Sequence, residues 1–140
     1  MACNNEPSMK RIDTMEKQVS KIEKKYQETE TAFNELVEDC IEFDEKLRNE
    51  NNPRPEMQLL RAYLQQYEDE RIPLKEEIDY SKSQLSDLKD DFENGLYDET
   101  QREEYLASEE KAVKTLNAKL DYFLDRFEKQ SEFIKSFEKQ

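Results

Sequence analysis

Residues 57–92 read MQLLRAYLQQYEDERIPLKEEIDYSKSQLSDLKDDF, and their apolar side chains recur in alternating steps of three and four. Met57, Leu64, Ile78, Leu85 and Phe92 occupy heptad position a, with Arg71 the charged exception, while Leu60, Tyr67, Leu74 and Leu88 occupy d. Only a helix stacks such positions on one face, and a single helix cannot bury the resulting stripe by itself.

The flanking segments carry the same pattern. Before the middle helix, a falls on Ile12, Val19, Tyr26, Phe33, Cys40 and Leu47, and d on Met15, Ile22, Thr29, Leu36 and Phe43. After it, a falls on Leu106, Val113, Leu120, Phe127 and Ile134, and d on Leu116, Phe123 and Phe137, with Arg102, Glu109 and Gln130 as polar d residues. The expected fold class is all-α: an elongated antiparallel three-helix bundle with coiled-coil-like, left-handed heptad packing.

Turn residues place the boundaries. Residues 1–7 have no period and read as a mobile tail, with Ser8 as the N-cap of a helix over 8–49. Asn51-Asn52-Pro53-Arg54-Pro55 ends that helix and opens the next, over 55–93. Pro73 should kink the middle helix, because it lacks an N–H donor, yet the heptad keeps phase across it. Asn94-Gly95 stops that helix, and Asp98 to Gln101 has the form of a capping box that opens a helix over 98–139. Residues 8–140 thus read as a single three-helix domain.

Charge patterning gives a register. Helices joined by connections this short run antiparallel to their neighbours, and antiparallel pairs bring e opposite e. Folding the first two helices about the Pro-rich turn sets Glu16 opposite Lys89, Glu23 opposite Lys82, Glu30 opposite Lys75, and Asp44 opposite Arg61. All four pairs have opposite charge in one common register. The g faces of the middle and last helices match Glu77 with Lys119, Glu70 with Arg126 and Tyr63 with Phe133; between the first and third helices Arg11 faces Glu103. The topology resembles that of spectrin-type three-helix repeats. That resemblance implies the fold alone, since the chain has no Trp and no tandem repeat, and no functional residue carries over.

Composition narrows the function. Lys and Arg number 22 against 35 Asp and Glu, a formal net charge of -13, and no basic block is free of interleaved acids. Nucleic acid and anionic membrane surfaces are therefore not expected partners. Charged residues make up 41% of the chain and mean hydropathy is -1.18, and no apolar run approaches the length of a membrane span, so direct membrane insertion is not expected. The N-terminus as written lacks a signal-peptide segment, which points to the cytoplasm. The alternative rests on Ala2-Cys3, which resembles the junction of a bacterial lipoprotein and would place the bundle outside the cytoplasm on a lipid tether at Cys3.

Chemistry has little to work with. The chain has no His and one Gly, so the commonest general base and metal ligand is missing, as is any Gly-rich phosphate loop. No enzyme activity, cofactor or metal is expected. Asp90 to Gln101 partly matches a calcium-binding loop, but Phe92 stands at one ligand position and Gln101 replaces the bidentate Glu; helix-end signals explain the same residues. The remaining candidate is a partner surface. Arg71 interrupts the apolar stripe beside Pro73, and Val37, Ile41 and Ile72 lie on the outer edge of the first hairpin as a small apolar patch. The functional expectation is a structural or adaptor protein, monomeric or weakly self-associating, that acts through contacts with other proteins. An obligate coiled-coil assembly subunit is the further alternative.

Overall fold

A computed structural model describes residues 5–138. It is all-α, with three helices: α1, Glu6–Asn49; α2, Glu56–Glu93; and α3, Glu99–Glu138. The helices pack as a bundle whose buried side chains are those of the heptad stripe: Ile12, Met15 and Val19 of α1, Leu85, Leu88 and Phe92 of α2, and Leu116, Leu120 and Phe123 of α3 are typical. Each fully buried side chain of this size contributes about 1.5–3 kcal/mol of transfer free energy.

α1 begins at Glu6, two residues before the expected cap at Ser8. Asn5 precedes it, accepting at its carbonyl from the Met9 N–H at 2.9 Å. Pro7 sits in the first turn, where a missing N–H leaves no helical bond unmade. Glu6 and Pro7 are thus helical, not part of a tail, and Cys3 lies outside the described residues. The Asn5 side-chain amide also donates to the Phe92 carbonyl at 2.7 Å, supplying a donor to the last turn of α2.

Both chain reversals use the same device. At the end of α1 the Asn52 N–H bonds the Leu47 carbonyl and the Asn51 N–H bonds that of Arg48. At the end of α2 the Leu96 N–H bonds the Asp91 carbonyl and the Gly95 N–H that of Phe92. This double closure requires a left-handed residue at C′, and Asn51 and Gly95 supply it at φ 52° and 67°. α3 then opens with a reciprocal capping box. The Gln101 N–H donates to Asp98 Oδ1 at 2.8 Å, and the Asp98 N–H donates to Gln101 Oε1 at 3.1 Å.

Contacts divide the chain into two compact units, with the division in α2 falling between Pro73 and Leu74. The first comprises residues up to Lys24 together with Leu74–Lys119. Its core admits three polar side chains at d positions, Ser81, Arg102 and Glu109. Arg102 donates from Nη1 to the Tyr97 carbonyl at 2.8 Å and so braces the turn before α3. Glu109 is only 8% exposed, its Oε2 is buried without a hydrogen-bond partner, and burial raises its pKa.

The second unit comprises Lys25–Pro73 and the chain from Leu120. Its core is aromatic: the Tyr67 ring lies 4.9 Å from Phe33, 5.0 Å from Phe123 and 5.2 Å from Phe127, centroid to centroid. The Phe123 and Phe127 pairs are edge-on, a geometry that adds about 0.5–1.5 kcal/mol per pair beyond area burial. Thr29, fully buried, satisfies its hydroxyl by donating to the Lys25 carbonyl one turn back, at 2.7 Å. Leu64, an a residue, is half-buried rather than buried.

Two outcomes test these features. Gly95→Ala should lower stability in urea melts by about 1–2 kcal/mol through left-handed strain alone, because an added Cβ meets nothing within 4 Å. Glu109 has the opposite sign of effect. Its raised pKa means that its contribution to folding is intact below the unfolded carboxyl pKa and is lost as pH rises through the native value. Glu109→Leu should therefore be more stable than the parent by about 1–3 kcal/mol near neutral pH, with the gain shrinking toward pH ~4, where the unfolded carboxyl also holds its proton.

Candidate interaction surface

Arg71 is the residue around which the candidate surface is built. Position a points its stem into the stripe of α2, and the guanidinium reaches the edge of the second unit, where its side chain stays 25% exposed. There Nη2 lies 2.8 Å from Glu30 Oε2 on α1, and Nη1 donates to Glu68 one turn back at 3.1 Å. The guanidinium carbon also stands 5.0 Å from the centroid of the Phe33 ring. Burial opposes the Arg71 charge and the two carboxylates outweigh it, raising its pKa.

Glu30 Oε2 meets Arg71 as an ion pair without hydrogen-bond geometry, and its Oε1 is hydrogen-bonded. The Tyr26 hydroxyl lies 2.8 Å from Oε1 and 3.2 Å from the Arg71 carbonyl, so one tyrosine ties the α1 carboxylate to the α2 backbone next to Pro73. Pro73 leaves the Asp69 carbonyl without its usual helical donor, and α2 nevertheless runs through it without a break. Tyr67 lies beneath this cluster with its hydroxyl buried and without a hydrogen-bond partner. Burial, then the charge of Glu30, pushes its pKa up.

The charge pairs expected at the e positions fall into two groups. Arg61 Nη2 lies 2.6 Å from Asp44 Oδ1, Lys82 Nζ lies 3.1 Å from Glu23, and Lys89 Nζ lies 3.8 Å from Glu16 and 3.6 Å from Asp13. The Arg61 hydrogen bond is the main cause that holds the Asp44 carboxyl below its ordinary pKa. Glu30 and Lys75 do not pair in this way: Glu30 takes Arg71, and Lys75 lies 2.8 Å from Asp79 on its own helix. The reason is reach. Arg71 projects from the stripe itself and brings a planar donor fork to a half-buried carboxylate, a geometry that a lysine ammonium matches poorly.

On the other edges Lys119 lies 3.7 Å from Glu77, and Arg11 pairs with Glu103 at 2.5 Å and also with Glu110. Arg126 is not held by Glu70. Its guanidinium stacks over Tyr63 at 4.9 Å and Tyr122 at 5.5 Å. The sequence signal for that arrangement was present in the i, i+4 spacing of Tyr122 and Arg126, which charge matching overlooks.

The patch itself is uneven. Ile41 is 61% and Ile72 66% exposed, Val37 and Arg71 are half-buried, and all four belong to the second unit. On α2, Ile72 directly follows Arg71, whose charge is engaged by Glu30 and Glu68, while Ile41 projects from α1. Among the described residues no group of three or more His, Cys, Asp or Glu side chains is placed to hold a metal ion. Asp90 to Gln101 closes helix ends through the turn at Gly95 and the box at Asp98. Among the described residues no helix is long and apolar enough to cross a membrane.

The Glu30–Arg71 pair is testable by a double-mutant cycle. Arg71→Met alone should cost about 1–3 kcal/mol by leaving Glu30 half-buried without its cation. Adding Glu30→Gln should recover part of that loss, giving a coupling energy of about 0.5–3 kcal/mol in urea melts. Searches against protein-family models, curated proteins and solved structures found no match to this chain.

Proposed function

We propose that this chain is a non-enzymatic structural or adaptor protein of the cytoplasm, acting through protein–protein contacts made on the α1–α2 face around Val37, Ile41, Arg71 and Ile72. The observation that carries this reading is the exposure of Ile41 and Ile72, 61% and 66%. Both are large β-branched side chains projecting from helix faces that are otherwise charged, and apolar groups held in water beside a rigid polar rim favour a partner. The free, buried Cys40 suits a reducing compartment.

In this reading the helices are antiparallel coiled-coil neighbours in left-handed heptad packing. The opposite sequence order of the Glu16–Lys89 and Glu23–Lys82 contacts supports that arrangement. Exposed ion pairs contribute only a few tenths of a kcal/mol each; their role is to specify which edges meet. The protein itself is a monomer or weak homo-oligomer that presents this rigid face.

Proximity labelling in the native cell tests the assignment. The double variant Ile41→Lys, Ile72→Lys should keep its helical circular dichroism and thermal melt, because neither side chain is in the core. It should also lose its labelled partners relative to the parent, whereas an unchanged partner set would remove this face from the function. Sedimentation at several concentrations separates an adaptor, which falls to the mass of one chain on dilution, from an obligate assembly, which keeps a multiple of that mass for as long as it stays folded.

A further inference from the structure

The turn between α1 and α2 borders a cavity of about 530 Å³ in the second unit, open to solvent on one side. That volume lies within the range of small-molecule sites. Its walls carry Arg48, Arg54 and Arg61 with a single acid, Asp44. In a chain with net charge -13, this is a local excess of positive charge, with Arg48 and Arg61 reaching into solvent at its rim.

Asp44 is shared between two of the three arginines. Its Oδ1 meets Arg61 Nη2 at 2.6 Å and its Oδ2 meets Arg48 Nη2 at 3.1 Å. One carboxylate accepts from two guanidinium groups that between them carry ten N–H donors. Arg54 makes no ion pair among the described residues; its guanidinium carbon lies 4.4 Å above the Phe137 ring. Its Nε is buried without a hydrogen-bond partner. Stacking on Phe137 restricts the fork, so that less rotamer freedom is lost when it meets an anion. Leu47 and Met57, both buried in the stripe, form the apolar part of the lining.

We propose that this cavity is a binding site for a small organic phosphate monoester. A phosphate monoester carries about -1.5 to -2 charges at neutral pH, which matches three arginines less one aspartate. Its oxygens suit planar guanidinium forks, and an attached apolar group would rest against Leu47 and Met57. A phosphate headgroup in an anionic bilayer is a poorer source, because the charge of the whole chain repels such a surface.

Phenyl phosphate is the probe, titrated into the intact chain at low ionic strength and followed through the arginine Nε–H and turn amide resonances. The expected result is a saturable shift of the Arg54 and Arg61 signals, with inorganic phosphate and benzoate each at least about tenfold weaker and phenol inactive. Arg54→Met should weaken phenyl phosphate at least about tenfold, and Arg54→Lys, which keeps the charge but not the fork, should fall between. Arg61→Met serves as a second variant should the turn be disturbed, and unchanged amide dispersion verifies the fold of each. Arg11→Met, outside this unit, should bind as the parent does. Unmoved Arg54 and Arg61 signals, equal binding of phenyl phosphate by the parent and both cavity variants, or equal response to phenol would each overturn the assignment.

Discussion

An α-helix has no interior of its own. A chain made almost wholly of helix can bury apolar surface only where the stripe of one helix meets the stripes of others, and every other feature of this protein follows from that requirement. Apolar residues are a minority here, 34% of the sequence. Most of the large ones are buried at heptad positions that face neighbours, so a modest supply of hydrocarbon is concentrated into the core of each unit. The charged residues, 41% of the chain, are left almost wholly to the outer faces, where they keep the surface wet and select which edges approach.

The interruptions of the core show two solutions to one problem. Arg71 enters the stripe but carries its charge to the edge, where Glu30, Glu68 and the Phe33 ring receive it. Its desolvation is offset by ion pairs and stacking, and the Tyr26 hydroxyl links Glu30 to the α2 backbone. Glu109 enters a stripe without such a partner at Oε2, so its burial appears as a raised pKa and as stability lost near neutral pH. The first arrangement specifies which edges meet; the second leaves a buried carboxylate oxygen without a donor.

The seam was legible from spacing because a heptad stripe has one solution: Phe33, Tyr67 and Phe127 fall on it in the sequence and meet in space. Helix ends were legible where a glycine or a capping box marks them, as at Gly95 and Asp98. They were less so where the signal is carried by asparagine. Asn51 adopts the left-handed C′ geometry and Asn5 precedes the first turn, while Pro and Ser draw the eye to neighbouring positions. Charge matching reads only formal sign and heptad letter. It therefore assigned Glu30 to Lys75 and Arg126 to Glu70, and had no means to weigh a planar guanidinium at an a position or one sandwiched by Tyr63 and Tyr122. Ser81 was not legible at d because small polar side chains carry no hydropathy signal, although it is buried. The cavity at the α1–α2 turn had no sequence signature at all, since its three arginines are brought together by the chain reversal.

The buried thiol on the inner face of α1 has a practical corollary. Cys40 is enclosed by the core, and that burial also raises its pKa, so the sulfur is shielded twice over: sterically, and by scarcity of the reactive thiolate. An alkylating reagent can reach it only during excursions in which α1 lifts from its neighbours. The rate of modification read at Cys40 itself is thus a stopwatch for seam breathing, native to the chain and needing no added dye.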